Sequence, residues 1–320
     1  MAEFHGRLMG CRARLLVDDD HEHLLGDALA LGDKLEQRWS RFVPSSDVSA
    51  LNRAEGRPVL VAADTLDLVE CAMNAWRATG GWFDPGLLDS LEALGYDRTH
   101  QQLATDPAPV GAGRDPGDQL PPLRDAVGLI EVDRVLSAIR LPVGMSFDPG
   151  GIGKGLAADR LTDLLINGGA RTSLVELGGD LRVAGEPPAD WESWPVQVEN
   201  PFDPEGPNTV IPVIEGAVCT SSRALRRWTH HGQPQHHLLD PRTARPSESS
   251  LVSVTVLSGV AWWADVLAKA TLVAGPEAGV RLIESLGLGA LLIGADGTRT
   301  IAGSLGIEPT PIPPPLEVVT

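Results

Sequence analysis

Lysine is scarce in this chain of 320 residues, which carries 26 basic and 43 acidic side chains. Only Lys34, Lys154 and Lys269 are lysines, and arginine supplies all other basic side chains. The formal net charge of −17 argues against nucleic acid or an anionic membrane surface as the main partner. Any phosphate-bearing ligand therefore has to bind where local positive charge opposes the overall field.

Cysteine is equally scarce, and Cys11, Cys71 and Cys219 do not have the spacing of a metal-binding motif. We therefore expect free thiols in a reducing compartment. No apolar run reaches the ~18 residues that a membrane-spanning helix needs. The stretch 8–11 is similar to a lipoprotein cleavage box, but the short polar segment before it lacks the apolar core of a signal peptide. We therefore expect a cytoplasmic protein without a membrane partner.

Apolar residues recur at helical spacing in several segments, and strand-like segments lie between them. The helical pattern predicts helices over 22–42, 63–79, 153–167, 262–273 and 277–285. Strands are predicted at 13–17, 129–132, 138–141, 173–176, 181–184, 195–198, 209–214, 251–257 and 290–293. Runs of strands between helices favour an α+β fold over a strict alternation of strand and helix.

A stretch of low complexity near 105–122 interrupts this pattern, because proline, glycine and aspartate dominate there. We expect a surface loop or a partly disordered insertion at that point. The proline-rich segment 306–320 has the composition of an untethered terminus. The sequence therefore predicts a single domain over 1–305 followed by a tail.

The glycine-rich turn from Asp148 to Gly155 is the first candidate for chemistry. Its glycines let the backbone approach a ligand closely, and a helix start with Lys154 in its first turn favours an anion. The spacing matches neither a P-loop nor a dinucleotide-binding fingerprint. A tight strand-to-helix turn without a ligand explains the same residues equally well.

Two further groups of polar residues stand out. Histidines at 230, 231, 236 and 237 suggest a metal site, but they include no helical pair, and solvated loop histidines are the simpler interpretation. Asp265 and Lys269 lie four residues apart on a predicted helix, in the order that stabilises an ion pair. Because the surrounding residues 261–273 are otherwise apolar, the pattern argues against a solvated surface pair.

Taken in order, these stretches resemble the ApbE family, the FAD:protein FMN transferases, over nearly the whole chain. The matching segments are 9–10, 46–52, 81–84, 148–155, 176–180, 220–222, 237–243 and 264–265. Each match is weak alone, and their order along the chain makes the set specific. The resemblance implies an α+β, T-fold-like architecture with mixed, largely antiparallel sheets packed against helices.

The resemblance implies an enzyme that takes FMN from FAD, attaches it through a phosphoester to a Thr or Ser of a client protein, and releases AMP. FAD and the client protein are the implied partners. Such chemistry has to neutralise a diphosphate and remove a proton from the client hydroxyl. In this family Mg²⁺ supplies much of the charge and orientation.

The resemblance also implies which residues form the site. Around FAD it places Met9, Phe42, Trp82, Phe83, Asp84, Asp148, Lys154, Thr220 and Leu239. His237 falls at the motif histidine, a candidate proton acceptor or phosphate contact, and Asp240 and Lys269 complete the expected catalytic set. For the metal it implies the carbonyl oxygen of Gly151 and the carboxylate of Asp265.

The sequence departs from the family at the metal motif, where Lys269 takes the position of a threonine ligand. An ammonium cannot ligate a metal, although it can neutralise a nearby carboxylate. Either Lys269 replaces the ion and contacts the diphosphate, or the site is inactive. Two alternatives follow: a non-catalytic FAD-binding carrier or regulator, and an FAD pyrophosphatase in which water replaces the client hydroxyl. His237 and Asp240 favour catalysis.

Overall fold

The computed structural model describes residues 1–99, 102–103, 125–189, 191–203, 205–224 and 226–305. The stretch near 105–122 and the tail 306–320 lie outside the described residues. The chain groups into two compact units. Unit 1 comprises Met1–Glu36, Gly151–Ser221 and the residues from Ser250 onward, and unit 2 comprises Gln37–Gly150 and Ser222–Ser249. The single domain over 1–305 stays a prediction.

The elements below are numbered in chain order. The helices are α1 (Leu24–Trp39), α2 (Asp47–Asn52), α3 (Ala63–Ala78), α4 (Leu88–Ala93), α5 (Gly153–Asn167), α6 (Ala261–Ala274) and α7 (Pro276–Ser285). The strands are β1 (Ala2–Leu8), β2 (Cys11–Val17), β3 (Val59–Leu60), β4 (Glu131–Asp133), β5 (Ala138–Arg140), β6 (Thr172–Leu177), β7 (Asp180–Gly185), β8 (Trp194–Val198), β9 (Thr209–Val213), β10 (Gly216–Ser222), β11 (Arg227–His230), β12 (Gln233–His236), β13 (Leu239–Asp240), β14 (Arg245–Pro246), β15 (Leu251–Ser258), β16 (Gly289–Gly294) and β17 (Arg299–Ala302).

Unit 1 is built on an eight-stranded sheet in the order β1-β2-β6-β7-β10-β15-β16-β17. The pairs β1–β2, β2–β6, β6–β7, β7–β10, β15–β16 and β16–β17 are antiparallel. Helices α5 and α6 pack against this sheet and against each other. A small β8–β9 sheet joins the same apolar core through residues such as Trp194 and Ile211, which contact the Leu174 side of the large sheet. The predicted α+β class with mostly antiparallel sheets is confirmed.

Neighbouring residues on a strand point to opposite faces, and this alternation decides what faces α5. Leu174 and its antiparallel partner Val183 point into the apolar core that includes the small sheet. Asp180 and Arg182 of β7 therefore point to the other face, where both contact α5 side chains. The sheet thus presents an anion and a cation to the helix that follows the glycine-rich turn.

Unit 2 contains α2, α3 and α4, a three-stranded sheet in the order β3-β5-β4, and the hairpins β11–β12 and β13–β14. Helix α2 begins after Ser46, whose Oγ accepts a hydrogen bond of 3.0 Å from the Ser49 amide. At the end of α2, the Asn52 side chain accepts from the Phe147 amide at 2.7 Å and donates to its carbonyl at 2.9 Å. The 46–52 motif therefore fixes the backbone that leads into Asp148.

The structure differs from the sequence prediction at a few elements. The strand expected at 129–132 begins only at Glu131, because residues Ala126–Leu129 form a 3-10 turn. The edge strand β1 was not predicted, although apolar or small residues alternate along it with polar ones. The short helices α2 and α4 were not predicted either, because six residues are too few to show a helical period. Within the described ranges, no helix is both long and apolar enough to cross a membrane.

Candidate functional site

The predicted site residues divide between the two units. Unit 1 holds Met9, Gly151, Lys154, Thr220, Asp265 and Lys269. Unit 2 holds Phe42, Trp82, Phe83, Asp84, Asp148, His237, Leu239 and Asp240. The glycine-rich turn 148–155 runs from one unit into the other along the chain.

In unit 1, Lys154 is anchored by a buried carboxylate of the neighbouring strand. Its Nζ forms an ion pair with Oδ2 of Asp180, whose side chain is only 2% exposed. The same Nζ lies 4.0 Å from Oδ2 of Asp265. Because the Lys154 side chain keeps 21% of its surface exposed, its positive charge lies at a position that a ligand can reach. Asp180 was not predicted as part of the site, although it ends the matched segment 176–180.

Lys269 runs along the backbone of the glycine-rich turn. A Cβ atom added to Gly151 would lie 2.6 Å from Cδ of Lys269, and the φ of +90° at Gly151 also favours glycine. Lys269 and Asp265 are both buried on α6. Oδ2 of Asp265 accepts a long hydrogen bond of 3.4 Å from the Gly155 amide at the start of α5. The structure thus brings Gly151, Lys154, Asp265 and Lys269 together in one cluster.

This cluster does not fit the metal site that the resemblance implies. Across the part of the chain that the structure describes, no group of three or more His, Cys, Asp or Glu side chains could hold a metal ion. Asp265 offers one carboxylate, and one helical turn later an ammonium stands where an oxygen ligand is needed. The cluster therefore lacks the third ligand of the implied site, and the roles of Gly151 and Asp265 as metal ligands stay a prediction.

Met9 lies in a turn between two strands of unit 1, and Thr220 lies on β10. Met9 and Gly10 form the two-residue turn between β1 and β2, with φ values of +53° and +69°. Positive φ at both residues suits the twist of a tight hairpin but is uncommon for a residue with a side chain. Thr220 shares a hydrogen bond of 2.8 Å with the hydroxyl of Thr255 on β15. The contact of Met9 with FAD stays a prediction.

In unit 2, Asp240 is held by an arginine that the sequence prediction missed. Arg242 binds both carboxylate oxygens of Asp240, at 3.0 Å from Nε and 2.7 Å from Nη2. Its guanidinium also lies 4.3 Å from the centroid of the Trp82 ring. Burial alone would raise the pKa of Asp240, but the hydrogen bonds from Arg242 outweigh it, and the pKa is lowered. Asp240 therefore stays ionised near neutral pH.

Phe42 belongs to a cluster of stacked planar groups. The guanidinium of Arg41 lies 4.2 Å from the Phe42 ring centroid and 4.9 Å from that of Tyr96. Tyr96 stacks on Trp228 at 5.1 Å. Arg41 also donates to the Tyr96 carbonyl at 2.9 Å and lies 3.6 Å from Oδ1 of Asp148. Because Phe42 is 38% exposed, the cluster can offer a face to a planar aromatic ligand.

The other predicted residues of unit 2 are less accessible. Phe83 is fully buried and Leu239 nearly so, and both pack within the interior of unit 2. Oδ1 of Asp84 accepts a hydrogen bond of 2.7 Å from the Gly86 amide, which closes the turn after α3. Contacts of Phe83, Asp84 and Leu239 with FAD stay predictions, while their local packing shapes the backbone beside Trp82.

The histidine patch separates into packed and half-buried members. His230 is buried, and a Cβ added to Gly95 would lie 2.7 Å from its Nδ1. The Nε2 atom of His236 lies 3.2 Å from the Ser247 carbonyl oxygen. Burial lowers the pKa of both His230 and His236, so both are neutral near pH 7. His237 directly follows β12 and is half-buried, which leaves it as the candidate for proton transfer.

Comparison with known proteins gives one consistent match. The model of the ApbE family matches residues 9–292. The FAD:protein FMN transferase of Treponema pallidum (strain Nichols) is 30% identical over 296 residues, which cover 88% of this chain and 80% of the relative. The FAD:protein FMN transferase of Klebsiella pneumoniae (strain 342) is 29% identical over 255 residues, covering 78% and 75%.

Two solved structures share the fold. The crystal structure of the ApbE protein from Thermotoga maritima gives a TM-score of 0.79 at 25% identity, covering 93% of this chain and 96% of that chain. The apo form of the flavinyl transferase ApbE from Pseudomonas stutzeri gives 0.76 at 25% identity, covering 94% of both chains. The ApbE-like fold predicted from the sequence is confirmed.

Proposed function

The chain belongs to the ApbE family, and on that premise we infer that it is a FAD:protein FMN transferase. It takes FMN from FAD, attaches it through a phosphoester to a Thr or Ser of a client protein, and releases AMP. The two relatives described above, which carry this name, align with 78% and 88% of the chain. FAD is therefore a substrate, and a protein is the acceptor.

One observation of the structure supports this function most strongly: two of the three lysines lie at the glycine-rich turn. A chain with a net charge of −17 has to provide local positive charge for a diphosphate. Lys154 and Lys269 place two ammonium groups there from α5 and α6, beside the carboxylates of Asp180 and Asp265. The amides at the start of α5 add their dipoles. We therefore assign the FAD diphosphate to this part of unit 1.

The reaction exchanges the phosphoanhydride bond of FAD for a phosphoester bond to the client protein. The oxygen of the client hydroxyl attacks the phosphorus on the riboflavin side, and the bond from that phosphorus to the bridging oxygen breaks. The bridging oxygen leaves with AMP, and the hydroxyl proton goes to a base. His237 is our candidate for this base. Asp240, kept ionised by Arg242, adds a fixed negative charge in unit 2.

Lys269 takes over the charge that Mg²⁺ would supply when bound. Its ammonium is a compact point charge, and its stem lies against Gly151, the residue whose carbonyl is the expected metal ligand. The ammonium of Lys269 places positive charge at the metal motif without an ion, and the carboxylate of Asp265 one helical turn earlier offsets part of that charge. We therefore propose a transfer reaction that needs little or no magnesium.

A magnesium titration of the wild type and Lys269→Thr tests this assignment. We expect the wild type to release AMP in the presence of EDTA, and Lys269→Thr to do so only when magnesium is added. Lys34→Thr is the matched control, because Lys34 lies exposed on α1 and its loss should leave the titration unchanged. The assignment would be contradicted if AMP release by the wild type requires magnesium and if added magnesium does not increase AMP release by Lys269→Thr.

The transferase itself is tested by supplying FAD with and without the proteins of a cell lysate. Transfer predicts AMP release that requires the lysate proteins and equals the flavin bound covalently to them. An FAD pyrophosphatase would instead give AMP and free FMN without any acceptor. A non-catalytic flavin carrier would bind FAD stoichiometrically and release no AMP at any magnesium concentration.

A further inference from the structure

Two carboxylates of unit 1 bind the first amides of each other's helix. Asp159 on α5 accepts hydrogen bonds of 2.8 Å from the amides of Ala261 and Trp262, the first two residues of α6. In return, Asp265 on α6 accepts from the amide of Gly155 at the start of α5, at 3.4 Å. Since each helix caps the other, the two helix starts are fixed together.

The backbones of α5 and α6 also approach each other closely at this point. A Cβ atom added to Gly155 would lie only 2.5 Å from the carbonyl oxygen of Ala261. The thiol of Cys219 on β10 donates to the same oxygen at 3.4 Å. Burial raises the pKa of Cys219 well above its ordinary value, so the thiol stays protonated and can donate. Ala261 is thus held through both its amide and its carbonyl group.

Asp159 accepts these two amide hydrogen bonds from a buried position, and few opposite charges lie near its carboxylate. Arg182 of β7 lies 3.5 Å from its Oδ1, and Arg182 also lies 3.8 Å from Glu215. Asp163 on the same helix adds a like charge, and Cys219 faces it from β10 as a neutral thiol. Burial raises the pKa of Asp159 to about 6 and outweighs the opposing effects of the two amides and Arg182.

Because folding raises the pKa of Asp159, the stability of the fold depends on pH. The folded chain holds the Asp159 proton more tightly than the unfolded chain does, so stability falls as the pH rises from 3.8 through about 6. Near pH 7 Asp159 is ionised, and its ionisation destabilises the fold. The ionised side chain uses both carboxylate oxygens to accept the two amides of α6, and this geometry indicates what the charge is used for.

We propose that Asp159 is a positioning residue for FMN transfer. It holds the first turn of α6 against α5 and so keeps Asp265 and Lys269 in place beside Lys154. The proposal deepens the proposed function and rests on it, because the groups that Asp159 positions are those assigned to the FAD diphosphate.

The variant Asp159→Asn tests the proposal, because it keeps the shape and removes the charge. Its single carbonyl oxygen can accept a hydrogen bond and its amide nitrogen cannot, so at least one amide of α6 loses its acceptor. We expect kcat for AMP release to fall by about tenfold to a hundredfold, as for a catalytic group displaced by a fraction of an ångström. The apparent melting temperature at pH 7 should be unchanged or higher.

The melting temperature should also depend on pH in a defined way. The difference between Asp159→Asn and the wild type should increase in favour of the variant as the pH rises from 4 to 7. The control is Asp163→Asn, the same substitution at an exposed position of α5. It should leave kcat and melting temperature close to those of the wild type.

Amide hydrogen exchange at Ala261 and Trp262 gives a readout that is independent of transfer. Exchange should be faster in Asp159→Asn and unchanged in Asp163→Asn. An unchanged kcat would overturn the proposal, and so would a kcat that falls only together with the melting temperature. If the wild type releases no AMP, the proposed function fails by itself. In that case the exchange rates and the affinity for FAD test the positioning role. Asp159→Asn should raise the exchange rates and lower the affinity for FAD.

Discussion

Replacing Lys154 by methionine removes one partner of a buried ion pair while keeping most of the side-chain volume. Asp180 is then left as an unpaired carboxylate with only 2% of its side chain exposed. Breaking a buried pair in this way costs about 3–5 kcal/mol of unfolding free energy. Because Lys154 itself is 21% exposed and partly screened by solvent, we expect the lower end of that range, about 3 kcal/mol.

The double variant Lys154→Met with Asp180→Asn separates the structural role of the pair from its chemical role. It removes both charges, so the loss of unfolding free energy should shrink to about 1–2 kcal/mol, the cost of a buried polar group without its partner. Stability is therefore expected to recover in part when the second substitution is added.

The rate of transfer should not recover with it. A unit charge about 4 Å from another contributes about 4 kcal/mol at an effective dielectric constant near 20. If most of this interaction acts on the phosphate charge of the transition state, its loss lowers kcat/KM by about 10²–10³-fold. Lys154→Met and the double variant should therefore be equally slow, since both lack the ammonium.

Urea denaturation followed by tryptophan fluorescence measures the stability, and chromatography of released AMP measures the rate. Lys34→Met is the matched control and should change neither quantity. Recovery of kcat/KM in the double variant would show that Lys154 acts only by pairing with Asp180. A Lys154→Met variant as stable as the wild type would refute the argument from the buried pair.

Two further predictions concern packing and capping. Gly155→Ala puts a Cβ atom 2.5 Å from the Ala261 carbonyl oxygen, and we expect it to cost about 1–3 kcal/mol in urea denaturation and to slow AMP release. Gly26→Ala, which meets no atom within 4 Å, is its control, and equal stability of the two variants would refute the close approach. Ser46→Ala removes the cap of α2 and should lower the unfolding free energy by about 1 kcal/mol. Ser45→Ala, at an exposed position, is its control and should lower it little. A Ser46→Ala variant as stable as Ser45→Ala would contradict the capping role.

The helices that carry the lysine cluster could be predicted from the sequence because their apolar periodicity is strong. The expected helix at 153–167 coincides with α5, and the expected helix at 262–273 agrees with α6 to within one residue at each end. Lys269 stood out because it lies in an otherwise apolar helix, and it is indeed buried. Local sequence patterns therefore predicted both helices and the unusual position of the Lys269 charge.

The partners of those charges could not be predicted, because they depend on strand pairing and helix packing. Asp180 meets Lys154 only because the register of β7 turns it toward α5. Asp159 binds an amide 102 positions away in the sequence. A run of residues contains no signal for contacts at such separations.

The aromatic cluster of unit 2 was missed for the same reason. Phe42 was expected through the resemblance, but Tyr96, which it contacts, and Trp228, which stacks on Tyr96, come from distant segments. Arg242 is the exception, since it lies two residues after Asp240 within the matched segment 237–243. An arginine so close to a predicted catalytic carboxylate was a signal that could have been used.

The ratio of released AMP to covalently bound flavin tests the central claim most directly. Purified protein is incubated with FAD and the proteins of a cell lysate, AMP is quantified by chromatography, and bound flavin is quantified by fluorescence after denaturing electrophoresis. We expect equal amounts of the two products, and neither product when the acceptor proteins are left out. AMP accompanied by free FMN without an acceptor, or FAD binding without any AMP, would contradict it.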